Sequence, residues 1–209
     1  AAAAPLAFQT AWRMLRTRVG IDQSDTVLVL GASGGVGHAC VQIAANEGCE
    51  VFATASSEEK LDHARACGAD HLINYEEDSF ADEIKDLTDG RGVDVVVDHI
   101  GAATWDDSLS AAAHGGSVVT CGATSGVSPE TNIPKVFWKQ LDILGSTMGT
   151  PGELDDVMAK VFDGTFEPHV RDVLPMSEIQ QAHEMLESRD GFGSVVVVPD
   201  EDYDPSDYE

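Results

Sequence analysis

Short apolar runs alternate with amphipathic stretches along most of this chain. We predict strands at Thr26–Leu30, Glu50–Ala53, His71–Ile73, Val93–Val97, Ser117–Thr120 and Asp142–Leu144. Helices are predicted between them at Gly35–Asn46, Glu58–Ala66, Phe80–Thr88 and Thr104–Ala112. This alternation is typical of βαβ units, in which right-handed crossovers join parallel strands. The pattern therefore predicts an α/β fold, a doubly wound parallel six-stranded sheet with helices on both faces.

Apolar residues at helical spacing over residues 5–19 predict a further helix that ends at Gly20. After the sheet region we expect helices at Glu153–Phe162 and Ser177–Ser188, and a strand at Val195–Val198. The segment 200–209 is acidic and contains a proline, so we predict that it is disordered. We thus divide the chain into an opening helix (1–20), a core (21–150), C-terminal helices with a final strand (151–199) and a tail (200–209).

A glycine-rich turn follows the first predicted strand and precedes a helix. The sequence there is Gly-Ala-Ser-Gly-Gly-Val-Gly over residues 31–37. Ala32 replaces the first glycine of the GxGxxG pattern, and any buried strand can end in glycines before a helix. The strand–turn–helix context nevertheless favours a Rossmann-like dinucleotide site, in which a pyrophosphate contacts free N–H groups at the helix N-terminus. The residues that would contact it are Ser33, Gly34, Gly35 and Val36.

The end of the second predicted strand indicates which dinucleotide is preferred. An NAD site normally has an acidic residue there, about twenty residues beyond the glycine turn. This chain has Ser56 and Ser57 instead, with Lys60 one helical turn further on. Hydroxyls and a positive charge suit a 2′-phosphate, so we expect NADP(H) to be favoured over NAD(H). The alternative is an ordinary exposed lysine, whose charge Glu58 and Glu59 partly offset.

The charge balance excludes several classes of partner. The chain has 37 acidic and 12 basic residues, for a net charge of −25. Such a surface repels nucleic acid and anionic membranes. No apolar run approaches the ~20 residues that cross a bilayer, and the N-terminus lacks the basic region of a signal peptide. We expect a cytoplasmic protein, and hypothesise a high-salt cytoplasm in which ions screen the self-repulsion.

Histidines and cysteines give no metal motif. The four cysteines form no CxxC pair, and the seven histidines form no HExxH pair or other metal spacing on one helix. We expect Cys40 and Cys67 to be packed in the interior, and no zinc in this region. His99 follows Asp98 at a strand end that faces the predicted cofactor, where it would contact ribose or adenine, or serve as a polar filler.

Eight segments together resemble the cofactor-binding half of the medium-chain dehydrogenase/reductase superfamily, in its quinone-oxidoreductase-like and alcohol-dehydrogenase-like branch. They are Pro5–Trp12, Gly31–Gly37, Lys60, Gly68–Asp70, Ile73–Tyr75, Val97–Asp98, Gly115–Gly116 and Leu144–Ser146. The resemblance extends over nearly the whole chain to Pro199.

The resemblance implies further cofactor contacts. Tyr75 matches a position that, with Ser56 and Lys60, holds the 2′-phosphate, and Thr10 matches a threonine beside the nicotinamide. Arg189 resembles a late arginine that reaches the cofactor. Segments matching the nicotinamide-lining backbone are Cys121, Gly122, Gly145, Ser146 and Thr147. Four of these residues have a structural alternative: Gly122 and Gly145 as strand-end glycines, Tyr75 as a surface aromatic residue, and Arg189 as a cation at a helix C-terminus.

The resemblance also implies an activity and an architecture. It implies an NADP(H)-dependent oxidoreductase that transfers hydride between nicotinamide C4 and a small-molecule quinone, carbonyl or enone. Most of the substrate cleft would belong to an N-terminal GroES-like domain with no counterpart here, so this chain alone is expected to be inactive. The resemblance further implies homodimers that pair through the last core strand, near residues 142–146. We expect Phe137 and Trp138 to be core or interface aromatics.

Two alternatives stay open. One is the cofactor domain of a zinc-dependent alcohol or polyol dehydrogenase, although Leu6 occupies the position of the third catalytic zinc ligand and cannot bind metal. The other is a dinucleotide-sensing module without catalysis.

Overall fold

The computed structural model describes residues 2–77, 79–188 and 191–207. The strands are β1 (Thr26–Val29), β2 (Glu50–Ala55), β3 (His71–Asn74), β4 (Val93–Val97), β5 (Ala112–Thr120), β6 (Asp142–Gly145), β7 (Val170–Pro175) and β8 (Ser194–Val198). The α-helices are α1 (Pro5–Trp12), α2 (Gly35–Glu47), α3 (Glu58–Ala66), α4 (Phe80–Leu87), α5 (Trp105–Ala111), α6 (Ile133–Lys139), α7 (Pro151–Phe162) and α8 (Ile179–Glu187).

Six strands form one parallel sheet in the order β3-β2-β1-β4-β5-β6. This order reverses direction between β1 and β4, which makes that point the topological switch of a Rossmann-like fold. β7 and β8 pair in parallel as a separate two-stranded sheet. The predicted fold class is confirmed.

Two apolar cores lie on opposite faces of the large sheet. Val27 and Val29 of β1 belong to one core with α1, α2 and α7, whereas Leu28 belongs to the other with α4 and α5. Successive side chains of a strand point to opposite faces, so a strand that is buried on both faces is apolar at every position. Apolar runs such as residues 27–30 and 95–97 therefore located the central strands.

The opening helix has two parts. α1 continues as a π-helical segment, Arg13–Val19, which ends at Gly20 in the left-handed conformation at φ +81°. The guanidinium of Arg13 forms an ion pair with Glu153 at 2.8 Å, and the Gln9 amide donates to the carbonyl of Thr150 at 2.8 Å. These bonds fix α7 against the opening helix.

Two elements were missed by the sequence analysis, α6 and β7. α6 has no buried residue, so it lacks the apolar periodicity that identifies a helix packed on a core. β7 carries Arg171 and Asp172 near its start, and only two of its six residues are buried, so its apolar pattern is weak. β5 also begins at Ala112, five residues before the prediction, because the pair Gly115-Gly116 interrupts its apolar run.

The C-terminal segment, for which we predicted disorder, contains two short 3₁₀ turns, Asp200–Asp202 and Pro205–Asp207. The Ser177 hydroxyl donates to the Asp200 carboxylate at 2.5 Å. The division of the chain into four segments stays a prediction.

Candidate functional site

The carboxyl ends of all six parallel strands lie at one edge of the sheet, where ligands bind in folds of this type. At the switch point the glycine turn after β1 lies beside the residues that follow β4. Gly31 has φ +59°, and a Cβ atom there would lie 3.4 Å from Nε2 of His99. The structure therefore brings together the glycine turn and His99, as the sequence analysis predicted.

Strand β2 fixes the glycine turn. The amide of Gly31 donates to the Thr54 hydroxyl at 3.2 Å, and the amide of Ala32 donates to the Thr54 carbonyl at 2.9 Å. Gly34 caps α2 in an extended conformation, and both Gly34 and Gly35 are exposed to solvent. The N-terminus of α2 is therefore accessible to solvent at these two residues, and a helix N-terminus suits a diphosphate. Thr54 was missed because a threonine inside a strand is not a recognisable signal.

Three of the four predicted 2′-phosphate residues, Ser56, Ser57 and Lys60, come together at the N-terminus of α3, whereas Tyr75 does not line the same group. The Ser57 hydroxyl caps the helix by accepting from the Lys60 amide at 3.5 Å, and the Lys60 ammonium donates to the Ser56 hydroxyl at 3.3 Å. Glu58 and Glu59 are exposed on the same turn. The hydroxyls, the ammonium and the helix dipole offer donors and positive charge to an anion at the end of β2.

Tyr75 lines a separate cavity of about 330 Å³ beside the glycine turn. Leu30, Phe80 and Ile100 give this cavity apolar walls, and Thr54 and Thr104 contribute hydroxyls to it. An apolar slot with a few polar groups suits a flat heterocycle such as adenine.

Two buried polar atoms at this edge lack a hydrogen-bond partner within the described part of the chain. They are Nδ1 of His99 and Oγ of Ser146. Burial lowers the pKa of His99 more than the neighbouring Asp98 carboxylate raises it, so the ring is neutral near pH 7. An unsatisfied buried polar group costs about 1–3 kcal/mol, so both atoms fit a site that a polar ligand completes.

The segments expected to line the nicotinamide are adjacent. Thr120 pairs with Gly145 in the register of β5 and β6, which sets Cys121 and Gly122 beside Ser146 and Thr147. Burial raises the pKa of Cys121, so this side chain is a thiol rather than a thiolate at neutral pH.

Thr10 is buried on α1. The preceding residue, Gln9, donates a hydrogen bond to the carbonyl of Thr150, three residues after Thr147. Arg189 lies outside the described residues.

Asp98 anchors the loop between β4 and α5. Its buried carboxylate accepts hydrogen bonds from the amides of Ile100 and Gly101 and from the hydroxyls of Thr104 and Ser108. The residue thereby positions His99 rather than facing a ligand itself.

Leu6 is on the first turn of α1 and is 63% exposed. Its hydrocarbon side chain offers no metal ligand at the position that the zinc-type resemblance would require.

No described helix is long and apolar enough to span a membrane.

Comparison with known proteins finds relatives of this chain. Residues 35–163 match a family described as "Zinc-binding dehydrogenase". The chain is 32% identical over 208 residues to a quinone oxidoreductase of Pseudomonas aeruginosa, covering 95% of this chain and 64% of that protein.

Two solved structures are similar to nearly the whole chain. A structure titled as an NAD-dependent alcohol dehydrogenase has a TM-score of 0.89 and 42% identity, covering 94% of this chain and 57% of that one. A 2-octenoyl-CoA carboxylase reductase, in complex with NADP and 2-octenoyl-CoA, has a TM-score of 0.88 and 29% identity, covering 97% and 50%. The chain thus spans between half and two thirds of the length of these proteins.

Proposed function

Because this chain belongs to the zinc-binding dehydrogenase family of medium-chain oxidoreductases, with the fold of their cofactor-binding region, we propose that it binds NADP(H) for hydride transfer. The substrate class would be a quinone, carbonyl compound or activated alkene. Nicotinamide C4 supplies or accepts the hydride when the cofactor is bound, and the chain binds and orients the cofactor. The substrate would be held mainly by residues beyond this chain, so the 209 residues alone are expected to show no turnover.

The observation that carries the NADP(H) preference is the group formed by Ser56, Ser57 and Lys60. The segment 54–57 has no carboxylate to accept hydrogen bonds from an unphosphorylated adenosine ribose. The Lys60 ammonium, held 3.3 Å from the Ser56 hydroxyl, supplies charge where a 2′-phosphate would lie. Hydrogen bonds to charged groups contribute about 1.5–3 kcal/mol.

Calorimetric titration with NADPH and NADH tests this proposal. Lys60→Ala should weaken NADPH binding by roughly 10- to 150-fold, the equivalent of about 1.5–3 kcal/mol, and leave NADH binding unchanged. Lys85→Ala is the matched control, since Lys85 is a half-exposed lysine on α4 that pairs with Asp82. All titrations must share one KCl concentration. Equal affinity of the unaltered chain for both cofactors, or equal weakening of both by Lys60→Ala, would contradict the NADP(H) preference.

A second candidate is the cofactor domain of a zinc-dependent alcohol dehydrogenase that uses NAD. The 42% identity to a protein titled as an NAD-dependent alcohol dehydrogenase favours it. The leucine at position 6 favours the first candidate, because any catalytic zinc would need all its ligands elsewhere. The NADPH and NADH titrations described above distinguish the two, because the second candidate would bind NADH more tightly than NADPH.

We further propose a homodimer through β6, the edge strand of the large sheet. Next to this edge, Phe137 and Trp138 on α6 are 56% and 72% exposed, and Ile143 on the strand is 40% exposed. Edge-to-edge pairing would cover these apolar side chains and the unpaired strand. Light scattering should give a dimer that Ile143→Lys dissociates, whereas a monomeric unaltered chain would contradict this.

A further inference from the structure

A group of nitrogen and sulfur ligands lies between α2 and α3. His38 is one turn into α2, His63 is on α3, and Cys67 caps the C-terminus of α3. His63 Nε2 is 3.0 Å from His38 Nδ1, and Cys67 Sγ is 3.3 Å from His38 Nδ1 and 3.7 Å from His63 Nε2. The sequence analysis, which found no metal spacing, missed the His63–Cys67 pair because it considered histidines and cysteines separately.

These three distances match the separations between ligand atoms that bind one metal ion. Zinc binds imidazole nitrogen at about 2.0–2.1 Å and thiolate sulfur at about 2.3 Å. Tetrahedral angles then separate two nitrogen ligands by about 3.3 Å, and nitrogen from sulfur by about 3.5 Å. The observed distances between ligand atoms, 3.0, 3.3 and 3.7 Å, lie within a few tenths of an ångström of these values.

The protonation states suit metal binding at neutral pH. Burial lowers the pKa of both histidines, that of His63 to about 4, so both rings are neutral with a lone pair available. His38 Nε2 lies 2.9 Å from the carbonyl oxygen of Glu167. If Nε2–H donates to that oxygen, the ring is in the tautomer whose Nδ1 lone pair faces His63 and Cys67. Metal-binding histidines commonly donate their other ring N–H to a carbonyl or carboxylate in this way.

A competing contact favours the other tautomer. The Gln42 amide nitrogen lies 2.7 Å from the same Nε2 atom and also donates to the Glu167 carbonyl at 2.9 Å. If Gln42 donates to Nε2, then Nδ1 of His38 carries the proton, and the group is a hydrogen-bonded trio without a metal. The first arrangement leaves a lone pair on Nδ1 for a metal ion, and the second places a proton there.

We propose that His38 Nδ1, His63 Nε2 and Cys67 Sγ bind one Zn²⁺ ion, with a fourth position that faces solvent. A cavity of about 540 Å³ opens there, and Glu167 and His169 also line it. Three protein ligands and one open position are a common zinc arrangement, and two imidazoles with a thiolate select against Mg²⁺ and Ca²⁺. On binding, the Cys67 thiol, whose pKa burial raises to about 11, transfers its proton to the buffer as the Zn–S bond forms.

Cobalt titration of the 209-residue chain tests the site, because Co²⁺ replaces Zn²⁺ and reports sulfur ligation by a charge-transfer absorption band. Excess Mg²⁺ and KCl should be present to occupy the acidic surface. We expect one equivalent of Co²⁺ with this band, the intense visible absorption of four-coordinate cobalt, displacement by Zn²⁺ and release of a proton.

Cys67→Ser should abolish the charge-transfer band, and His63→Gln should weaken Co²⁺ binding at least tenfold. The matched controls are Cys49→Ser, which alters a buried thiol elsewhere, and His114→Gln, which alters an exposed histidine on β5. Both controls should bind like the unaltered chain, and circular dichroism should show that all four variants fold. Absence of the band from the folded unaltered chain, or its persistence in Cys67→Ser, would overturn the proposal. Neither result bears on the NADPH titration.

Discussion

The contact between α2 and the glycine turn should not tolerate a single added methyl group. A Cβ atom at Gly37 would lie 2.2 Å from the carbonyl oxygen of Gly31 and 2.9 Å from Cα of Ala32. Restoring an ordinary separation of roughly 3.4 Å requires the helix to withdraw by about 1 Å from a close-packed core. Overpacking of this kind costs about 1–3 kcal/mol and occasionally more, and both neighbours here are backbone atoms that cannot rotate away. We therefore expect Gly37→Ala to destabilise the fold by about 3 kcal/mol.

For a chain of this length, 3 kcal/mol corresponds to a midpoint about 6–12 °C lower in thermal unfolding. The displaced turn should also bind NADPH at least tenfold more weakly, because its amides no longer converge on the diphosphate. Gly152→Ala is the matched control: Gly152 is exposed on the first turn of α7, and an added Cβ there meets nothing within 4 Å. That control should be neutral or slightly stabilising. An unchanged midpoint and unchanged NADPH affinity in Gly37→Ala would refute the reasoning.

Two further predictions concern solvent conditions. With a net charge of −25, thermal stability should rise with KCl, since about 1 M salt shortens the screening length to about 3 Å; equal or greater stability in low salt would refute the high-salt hypothesis. For Glu153, burial alone would raise the pKa, but hydrogen bonds from Thr17, Thr150 and Arg13 outweigh it and lower the pKa from 4.5 to about 2. Its contribution is therefore fully present above about pH 4.5 and is lost as the pH falls towards 2, so denaturant unfolding should show Glu153→Gln less stable at pH 7 and the gap closing below pH 4.5. A gap that is constant with pH would contradict the assignment.

The central strands β1 and β4 were predictable because burial on both faces leaves them few polar positions. β4 was predicted at its observed bounds, and β1 differs by one residue. α6 could not be found in this way, since it covers no core and its aromatic residues are exposed. The sequence analysis left Phe137 and Trp138 as either core or interface residues. Both are exposed in the structure, so they are not core residues.

The candidate cofactor site was predictable where one short segment supplies it. The glycine turn and the Ser56–Lys60 group each lie within a single strand–helix junction, so local spacing identifies them. Thr54 was harder to assign because its role depends on a hydrogen bond from the neighbouring strand's turn, at Gly31. A sequence motif records spacing within a segment, and it does not record which group a buried side chain meets across the sheet.

The His38, His63 and Cys67 group shows how far topology could have extended the sequence analysis. Cys67 directly follows the predicted helix Glu58–Ala66 and lies four residues after His63, a spacing that places both on one side of that helix. Helices α2 and α3 flank β2 in consecutive right-handed crossovers, so the predicted topology already set them side by side on one face of the sheet. What it could not supply was the helix rotation that turns His38 towards that pair, because the rotation depends on core packing of Ala39, Ile43 and Ala64. Mixed pairs of histidine and cysteine at helical spacing therefore become informative when the fold predicts a histidine-bearing helix beside them.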